Sequence, residues 1–199
     1  MNGDRRSPIE RLLGTDFDRL PAPVRLLHSL REPLRTAGRA DITAADGILA
    51  WLICWSAGLP RPGRDVEVSV TFEPRENGVE HWDRSFADRR YASAIAAGTG
   101  RDSGFLIERF GLFQLRFQLT VLPEGLGWLV VGWRLLGVPL PRWSVPCIKC
   151  LESDDSGRFA FDIDVAFPVI GWLMHYRGWL TPRDDSSSVI APRGTAITL

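Results

Sequence analysis

The stretch that decides the fold is Asp65–Glu73, with the sequence DVEVSVTFE. Apolar side chains alternate with polar ones at every second position, which is typical of an antiparallel strand with one buried and one solvated face. Before Pro62 the apolar residues follow a helical spacing instead. The change of period at this proline therefore predicts helices first and a β-sheet afterwards, which is an α+β fold.

Further alternating segments follow this strand, and short turn signals separate them. Asn77-Gly78 is the strongest of these signals, because this dipeptide favours a two-residue hairpin. Closely spaced strands of this kind predict a curled antiparallel sheet or β-barrel of roughly eight to ten strands. The predicted strands that follow are Val79–Ala87, Tyr91–Ala97, Phe105–Phe110, Leu112–Leu122, Leu126–Leu136, Cys147–Ser153, Arg158–Phe167 and Trp172–Thr181. A short strand is also predicted earlier in the chain, at Gly38–Thr43.

The segments outside the predicted sheet are helical or polar. Residues 8–31 predict two short N-terminal helices, because Pro21 and Pro23 interrupt their apolar stripe. Ala44–Ala57 predicts a third helix that is apolar nearly all round. We expect this helix to be buried, either covering one opening of the barrel or lying inside the curve. We therefore predict a single domain over residues 1–182 and a flexible C-terminal tail over residues 183–199.

The composition excludes several classes of protein. The 199 residues include 24 basic and 24 acidic side chains, so the net charge is zero, and 45% of the residues are hydrophobic. This balance excludes a disordered chain and gives no electrostatic attraction to nucleic acids or anionic membranes. The longest apolar stretches are too short or too interrupted to cross a bilayer, and no apolar leader follows Met1–Ser7. We therefore expect a cytoplasmic protein without membrane insertion.

The sequence contains none of the common cofactor or metal motifs. Cys147 and Cys150 form a C-x-x-C pair, but a zinc site needs a second pair of ligands and a redox motif opens a helix. We interpret these cysteines as small strand residues, and the odd count of three cysteines indicates a reducing compartment. No zinc-type histidine spacing, nucleophile elbow, phosphate loop or dinucleotide fingerprint is present. We therefore expect no metal and no cofactor.

One predicted strand directs an arginine towards the interior. Period two places Trp82, Arg84 and Phe86 on one face of Val79–Ala87, and the two aromatic residues indicate that this face is the inner one. An unpaired buried charge costs several kcal/mol, so Arg84 needs an acidic partner. Glu108 is the predicted partner because it shares a face with apolar neighbours on its own strand.

Tyr176 is the other polar residue that we expect inside the barrel. It alternates with Trp172 and Met174 on the last predicted strand, so these three residues share the inner face. Arg84, Glu108 and Tyr176 would then form a small polar cluster in an apolar, tryptophan-rich cavity, as in many small-molecule sites. The alternative is a structural Arg–Glu bridge inside a barrel that its own side chains fill.

Five segments occur in an order that is similar to a known family: Leu20–His28, Trp82–Phe86, Phe105–Gly111, Pro139–Pro141 and Tyr176–Leu180. On these segments the chain resembles the bacterial domain of unknown function 4166, over roughly residues 16–182. Such domains are often attached to nucleotide-dependent reductase-like domains, so the resemblance implies a reductase partner but no activity that carries over. It also implies that the family's recurring polar and aromatic positions are His28, Trp82, Arg84, Glu108 and Tyr176.

The leading functional hypothesis is a cofactor-independent cyclase or isomerase that acts on an apolar bacterial metabolite in the cavity. Glu108 and Tyr176 would move protons, and Arg84 would hold an oxygen anion. The alternatives are a noncatalytic carrier or sensor of a lipid-like ligand, and a structural accessory domain with a filled core. The residues predicted to contact the ligand are Trp82, Phe86, Trp172 and His28, the last with a capping or core role as its alternative.

Overall fold

The described part of the chain is a closed barrel of ten antiparallel strands with three short α-helices, which confirms the predicted barrel. The computed structural model describes residues 6–56, 58–75, 78–168 and 170–183. Residue Asn77 of the predicted hairpin, the first five residues of the chain and the predicted tail beyond Arg183 lie outside the described residues.

The strands follow one another around the barrel in chain order. Apart from the short strand β8, each strand pairs with the barrel strands before and after it in sequence, and β1 pairs with β11 to close the sheet. Within the described residues a short eighth strand, β8, pairs with β7 alone, and β7 also pairs with β9 in the barrel wall. The strands are β1 Leu34–Ala44, β2 Gly63–Pro74, β3 Val79–Phe86, β4 Arg89–Ala97, β5 Leu106–Phe110, β6 Phe113–Leu122, β7 Gly125–Leu135, β8 Val138–Pro139, β9 Cys147–Asp155, β10 Arg158–Phe167 and β11 Gly171–Pro182.

The closing strand β1 is longer than its sequence pattern predicts. A short strand at Gly38–Thr43 is predicted, whereas the observed strand has 11 residues. Its small and polar residues give a weak alternation, but they suit a close approach to β11. A Cβ atom on Gly38 would lie 1.7 Å from the carbonyl oxygen of Trp179. Glycine is therefore required at this point of the seam.

Two of the helices precede the barrel, as predicted. The first is α1, Pro8–Leu13, which begins with a capping box in which Ser7 and Glu10 exchange hydrogen bonds of 3.1 and 2.7 Å. The second is α2, Ala22–His28, which follows a 3₁₀ turn. We call the end of the barrel where β1 begins the first end, and the end where β1 stops the second end. The helices lie at the first end, where α1 packs on β4 and β5 and α2 packs on β9 and β10.

The third helix, α3, spans Ile48–Ser56 and lies at the second end, between β1 and β2. The prediction that this helix is buried is wrong, because Ile48 is 86% exposed and Trp51 is 60% exposed. Among the side chains of α3 that the structure describes, Ala50 is buried and Ile53 lines the cavity. The helix also begins later than predicted, since Ala44 still pairs with Met174 in the sheet. No helix among the described residues is long and apolar enough to cross a membrane.

Candidate functional site

The interior of the barrel contains a cavity of about 200 Å³. Every barrel strand except β1 contributes to its wall, and aliphatic and aromatic side chains make up most of that wall. The period-two pattern explains this lining, since Phe159, Phe161, Ile163 and Val165 alternate along β10 and all line the cavity. The barrel is therefore not filled by its own side chains.

Arg84 and Glu108 meet at the cavity wall, as predicted. The Nη2 atom of Arg84 donates to Glu108 Oε1 at 3.1 Å, and Nη1 donates to Ser93 Oγ at 2.7 Å. Both charged side chains are only 13% exposed. Strand β4 lies between them, because Arg84 pairs in register with Tyr91 and Glu108 pairs with Ile95. The ion pair thus bridges across one strand on the inner face of the sheet.

Aromatic rings hold the guanidinium of Arg84 from two sides. Its Cζ atom lies 4.7 Å from the ring centre of Trp82 and 5.3 Å from that of Tyr91. Burial opposes the charge of Arg84, but the charge and hydrogen bond of Glu108, together with the electrostatic effect of Tyr91 and Tyr176, outweigh it, so the pKa of Arg84 is raised. The arginine therefore stays charged inside an apolar cavity.

Two tyrosines complete this polar group, which we call the central cluster: Arg84, Tyr91, Ser93, Glu108 and Tyr176. The two phenols interact through their hydroxyls, and Tyr176 packs against Phe86 with ring centres 5.8 Å apart. Burial raises the pKa of Tyr91, and it raises that of Tyr176 well above its usual range. Both residues are therefore neutral hydrogen-bonding groups near pH 7.

Cys150 also lines the cavity, close to the central cluster. Burial raises the pKa of its thiol well above the usual range, so the reactive thiolate form is disfavoured. Cys147 is exposed on the same strand, and both cysteines are free. Their interpretation as strand residues agrees with their position in β9.

A second group of polar residues lies at the first end of the cavity. We call it the first-end cluster: His28, Glu80, Trp82, Trp128 and Glu152. The Nε2 atom of His28 lies 2.6 Å from Glu152 Oε2, and the imidazole stacks on Trp82 at 5.7 Å. The indole N–H of Trp82 donates to Glu80 Oε2 at 3.0 Å. All five side chains are buried, and Glu152 lines the cavity.

Two groups of the first-end cluster have altered acidity. Burial lowers the pKa of His28, but the charge and hydrogen bond of Glu152, together with the charge of Glu80, outweigh it and raise the pKa overall. Burial also raises the pKa of Glu80, and the charge of His28 offsets only part of this effect. His28 and Glu80 therefore hold their protons more firmly than the same groups do in water.

The structure separates the predicted site residues into two sets. Trp82, Phe86 and the three predicted catalytic residues Arg84, Glu108 and Tyr176 all line the cavity. His28 is not in the lining and lies behind Trp82, so the alternative of a core role describes its position.

The placement of Trp172 inside the barrel is wrong. This residue is 42% exposed, and its indole N–H donates to Asp164 Oδ1 at 2.9 Å on the outer side. The register between β10 and β11 shifts after Val165, so strict alternation fails at the start of β11. As a result both Leu173 and Met174 are fully buried.

Sequence reasoning missed several residues of the two clusters. Glu152 alternates with Ile148 and Cys150 along β9, and all three line the cavity, so the period-two rule could have found them. Tyr91 and Ser93 alternate in the same way on β4. No group of three or more potential metal ligands is assembled within the described residues.

The comparisons with known proteins concern the whole barrel. No curated protein and no solved structure matches the chain. The family model of a domain of unknown function (DUF4166) matches residues 20–180, a range that contains all the residues lining the cavity and both polar clusters. The chain therefore belongs to the family of domain of unknown function 4166.

Proposed function

We propose that this protein binds a small apolar molecule with a polar oxygen group inside the barrel. The observation that supports this function is the cavity of about 200 Å³ with apolar walls and one buried ion pair. A barrel of this kind either fills with side chains or holds one small ligand. An apolar cavity of ~150 Å³ admits benzene, so we infer a ligand of about one or two rings.

The central cluster is suited to hydrogen bonding with the oxygen of such a ligand. A guanidinium carries more N–H donors than the two that Ser93 and Glu108 accept from Arg84. The ion pair is electrically balanced, and the tyrosines are neutral, so a carbonyl or hydroxyl oxygen fits the site better than a second full charge. The apolar wall would hold the rest of the molecule.

We further propose that α3 covers the second opening and that the ligand enters beside it. The first end is occupied by α2, whose residues Val24, Leu27 and His28 are buried. At the second end Ile53 of α3 and Leu59 line the cavity. A displacement of this short helix would open a path from solvent to the central cluster.

A cyclase or isomerase is the second candidate, favoured by the carboxylate, cation and phenol that share the cavity wall. In an isomerisation Glu108 would take a proton from a carbon next to the ligand's carbonyl group and return it to another carbon. Arg84 would hold the oxygen anion in between. Glu108 would first have to exchange its contact with Arg84 for one with the ligand, which makes binding alone the better-supported function.

Calorimetric titration with 2-tetralone, a two-ring ketone, tests the binding function. We expect the wild-type protein to bind it and Val68→Phe to bind at least about tenfold more weakly, because Val68 is fully buried and lines the cavity. Thr120→Phe, on an exposed position of β6, is the matched control and should bind like the wild type. Equal binding by Val68→Phe in a folded state, checked by circular dichroism, would contradict the proposal.

The catalytic candidate is tested by proton exchange. In deuterated water an isomerase-like site should accelerate deuterium uptake next to the carbonyl of 2-tetralone, and Glu108→Gln should abolish the acceleration while binding persists. A carrier binds the ketone without changing its exchange rate. Equal acceleration by the wild type and Glu108→Gln would rule out Glu108 as the base.

A further inference from the structure

The indole N–H of Trp128 lies at the first end of the cavity. Trp128 lines the cavity and is only 6% exposed. Its Nε1 atom is buried and has no hydrogen-bond partner among the residues that the structure describes. Burying an N–H group without an acceptor is unfavourable, and most buried donors in folded proteins are paired. A ligand atom in the adjoining cavity could supply the acceptor.

An acidic residue, Glu152, is a diagonal neighbour of Trp128 on the same face of the sheet. Leu126 pairs with Glu152 and Trp128 pairs with Cys150, so Trp128 and Glu152 are diagonal neighbours on β7 and β9. Such neighbours are within reach of each other's long side chains. Glu152 is 3% exposed and also lines the cavity.

His28 holds Glu152 in place from outside the cavity. The contact between His28 Nε2 and Glu152 Oε2 occupies one oxygen of the carboxylate, which leaves further acceptor capacity on the carboxylate. His28 itself is fixed by stacking on Trp82, whose other contacts include the guanidinium of Arg84. His28 is thus a positioning residue, and Glu152 and Trp128 are the groups that can touch a ligand.

We propose that Trp128 and Glu152 form a second polar subsite that binds a hydroxyl group of the ligand. A hydroxyl can accept the indole N–H bond and donate its own proton to the carboxylate at once. A carbonyl satisfies only Trp128, an ammonium group satisfies only Glu152, and an anionic group is repelled by Glu152. The inference rests on the proposed binding function and narrows it to an apolar molecule with an oxygen group at the central cluster and a hydroxyl group at the first end.

Two probes that differ by one hydroxyl group test this subsite. The dissociation constants of 2-tetralone and 6-hydroxy-2-tetralone are compared by calorimetry, and the ratio of the two measures the preference for the hydroxyl group. We expect the wild type to prefer the hydroxylated ketone by about tenfold or more. Trp128→Phe keeps the apolar wall but removes the donor, so the preference should fall towards one while 2-tetralone binds as before.

Trp133→Phe is the matched control, since Trp133 lies on the same strand, is outside the cavity lining and donates its indole N–H to Ser144. It should keep the wild-type preference. Equal affinity of the wild type for both probes would overturn the subsite, and so would an unchanged preference in Trp128→Phe. In either case, binding of 2-tetralone would still support the proposed function. Failure of both probes to bind the wild type would overturn the proposed function and the subsite together.

Discussion

Arg84 is the residue on which the central cluster depends. Its positive charge lies inside an apolar barrel, where it is compensated by Glu108, by the hydroxyl of Ser93 and by two aromatic faces. Such an arrangement is stable as a pair, because removal of one partner leaves the other as an uncompensated buried charge. The ion pair of Arg84 and Glu108 therefore contributes to the stability of the fold and also supplies polar groups to the cavity wall.

Arg84→Met should destabilise the protein by about 3 kcal/mol, since it leaves Glu108 buried without its partner. The double variant Arg84→Met/Glu108→Leu should be more stable than Arg84→Met alone, because no unpaired charge remains. Urea unfolding followed by circular dichroism measures both differences. A single variant within about 0.5 kcal/mol of the wild type would show that the pair is not buried as described.

The first-end cluster makes the stability of the fold depend on pH. The unfolded chain releases the proton of Glu80 at the ordinary pKa, whereas burial raises the pKa of the folded protein, so the free energy of unfolding falls as pH rises through this window. The raised pKa of His28 acts in the same direction. The stability that protonated His28 contributes is fully present below about pH 6.5 and is lost as pH rises through the pKa of His28 in the folded protein.

Glu80→Gln should therefore lose less stability than the wild type as pH rises above about 4.5, the ordinary pKa of a glutamate side chain. The glutamine keeps an oxygen that can accept the indole N–H of Trp82, so the hydrogen bond need not be lost. The measurement is the free energy of unfolding of both proteins at a series of pH values. If the two plots of unfolding free energy against pH were parallel over the whole range, they would contradict the raised pKa of Glu80.

At the scale of single elements, α3 differs from the other helices in its packing. The first-end helix α2 buries Val24, Leu27 and His28, whereas α3 buries Ala50 and exposes Ile48 and Trp51. A helix with such exposed apolar side chains opens at a lower cost in free energy than the strands of a buried sheet. This difference supports α3 as the element that moves when a ligand enters.

Two isoleucines of α3 give a matched comparison of its sides. Ile48→Ser should change the free energy of unfolding by less than about 0.5 kcal/mol, because the side chain is 86% exposed and serine has a similar helix propensity. Ile53→Ser removes apolar contacts from the cavity wall and should cost about 1 kcal/mol or more. Equal effects in urea unfolding would place both residues in the same environment and contradict the packing of α3.

At the scale of the whole molecule, the barrel depends on the seam between β1 and β11. These strands are more than a hundred residues apart in sequence, yet Gly38 and Gly178 let their backbones approach closely. A Cβ atom on Gly178 would lie 2.2 Å from the carbonyl oxygen of Arg39. The closed cavity exists only because this seam brings the two ends of the sheet together.

Gly38→Ala should destabilise the protein by about 3 kcal/mol, because its methyl group would overlap backbone atoms of Trp179 that cannot move without breaking the seam. Gly132→Ala is the control within another strand, where the nearest atom to a Cβ is a side-chain nitrogen of Arg116 at 3.4 Å. We expect the control to cost less than about 1 kcal/mol. Thermal and urea unfolding measure the loss of stability in both variants. Equal losses would contradict the close backbone contact at Gly38.

Much of the barrel follows from local alternation, because successive side chains of a strand point to opposite faces whatever the strand pairs with. This rule groups Trp82, Arg84 and Phe86 on one face, and the two aromatic residues mark that face as the inner one. The cost of an unpaired buried charge then indicates Glu108 as the acid that meets Arg84. The alternation rule fails at Trp172, where the register between β10 and β11 shifts and the pairing strand decides the face. The prediction for α3 is wrong for a different reason. An apolar helix is buried only where other parts of the protein cover it, and the helix sequence does not show this.

The amino-acid order by itself determined the barrel class, the inner faces of most strands and the central ion pair, since each rests on periodicity within one or two strands. The contact of His28 with Glu152, 124 residues away, and the diagonal placement of Glu152 beside Trp128 were decided only by the tertiary structure. Strand register and barrel closure set which side chains face each other across the cavity. These are properties of the whole sheet, and no local pattern contains them.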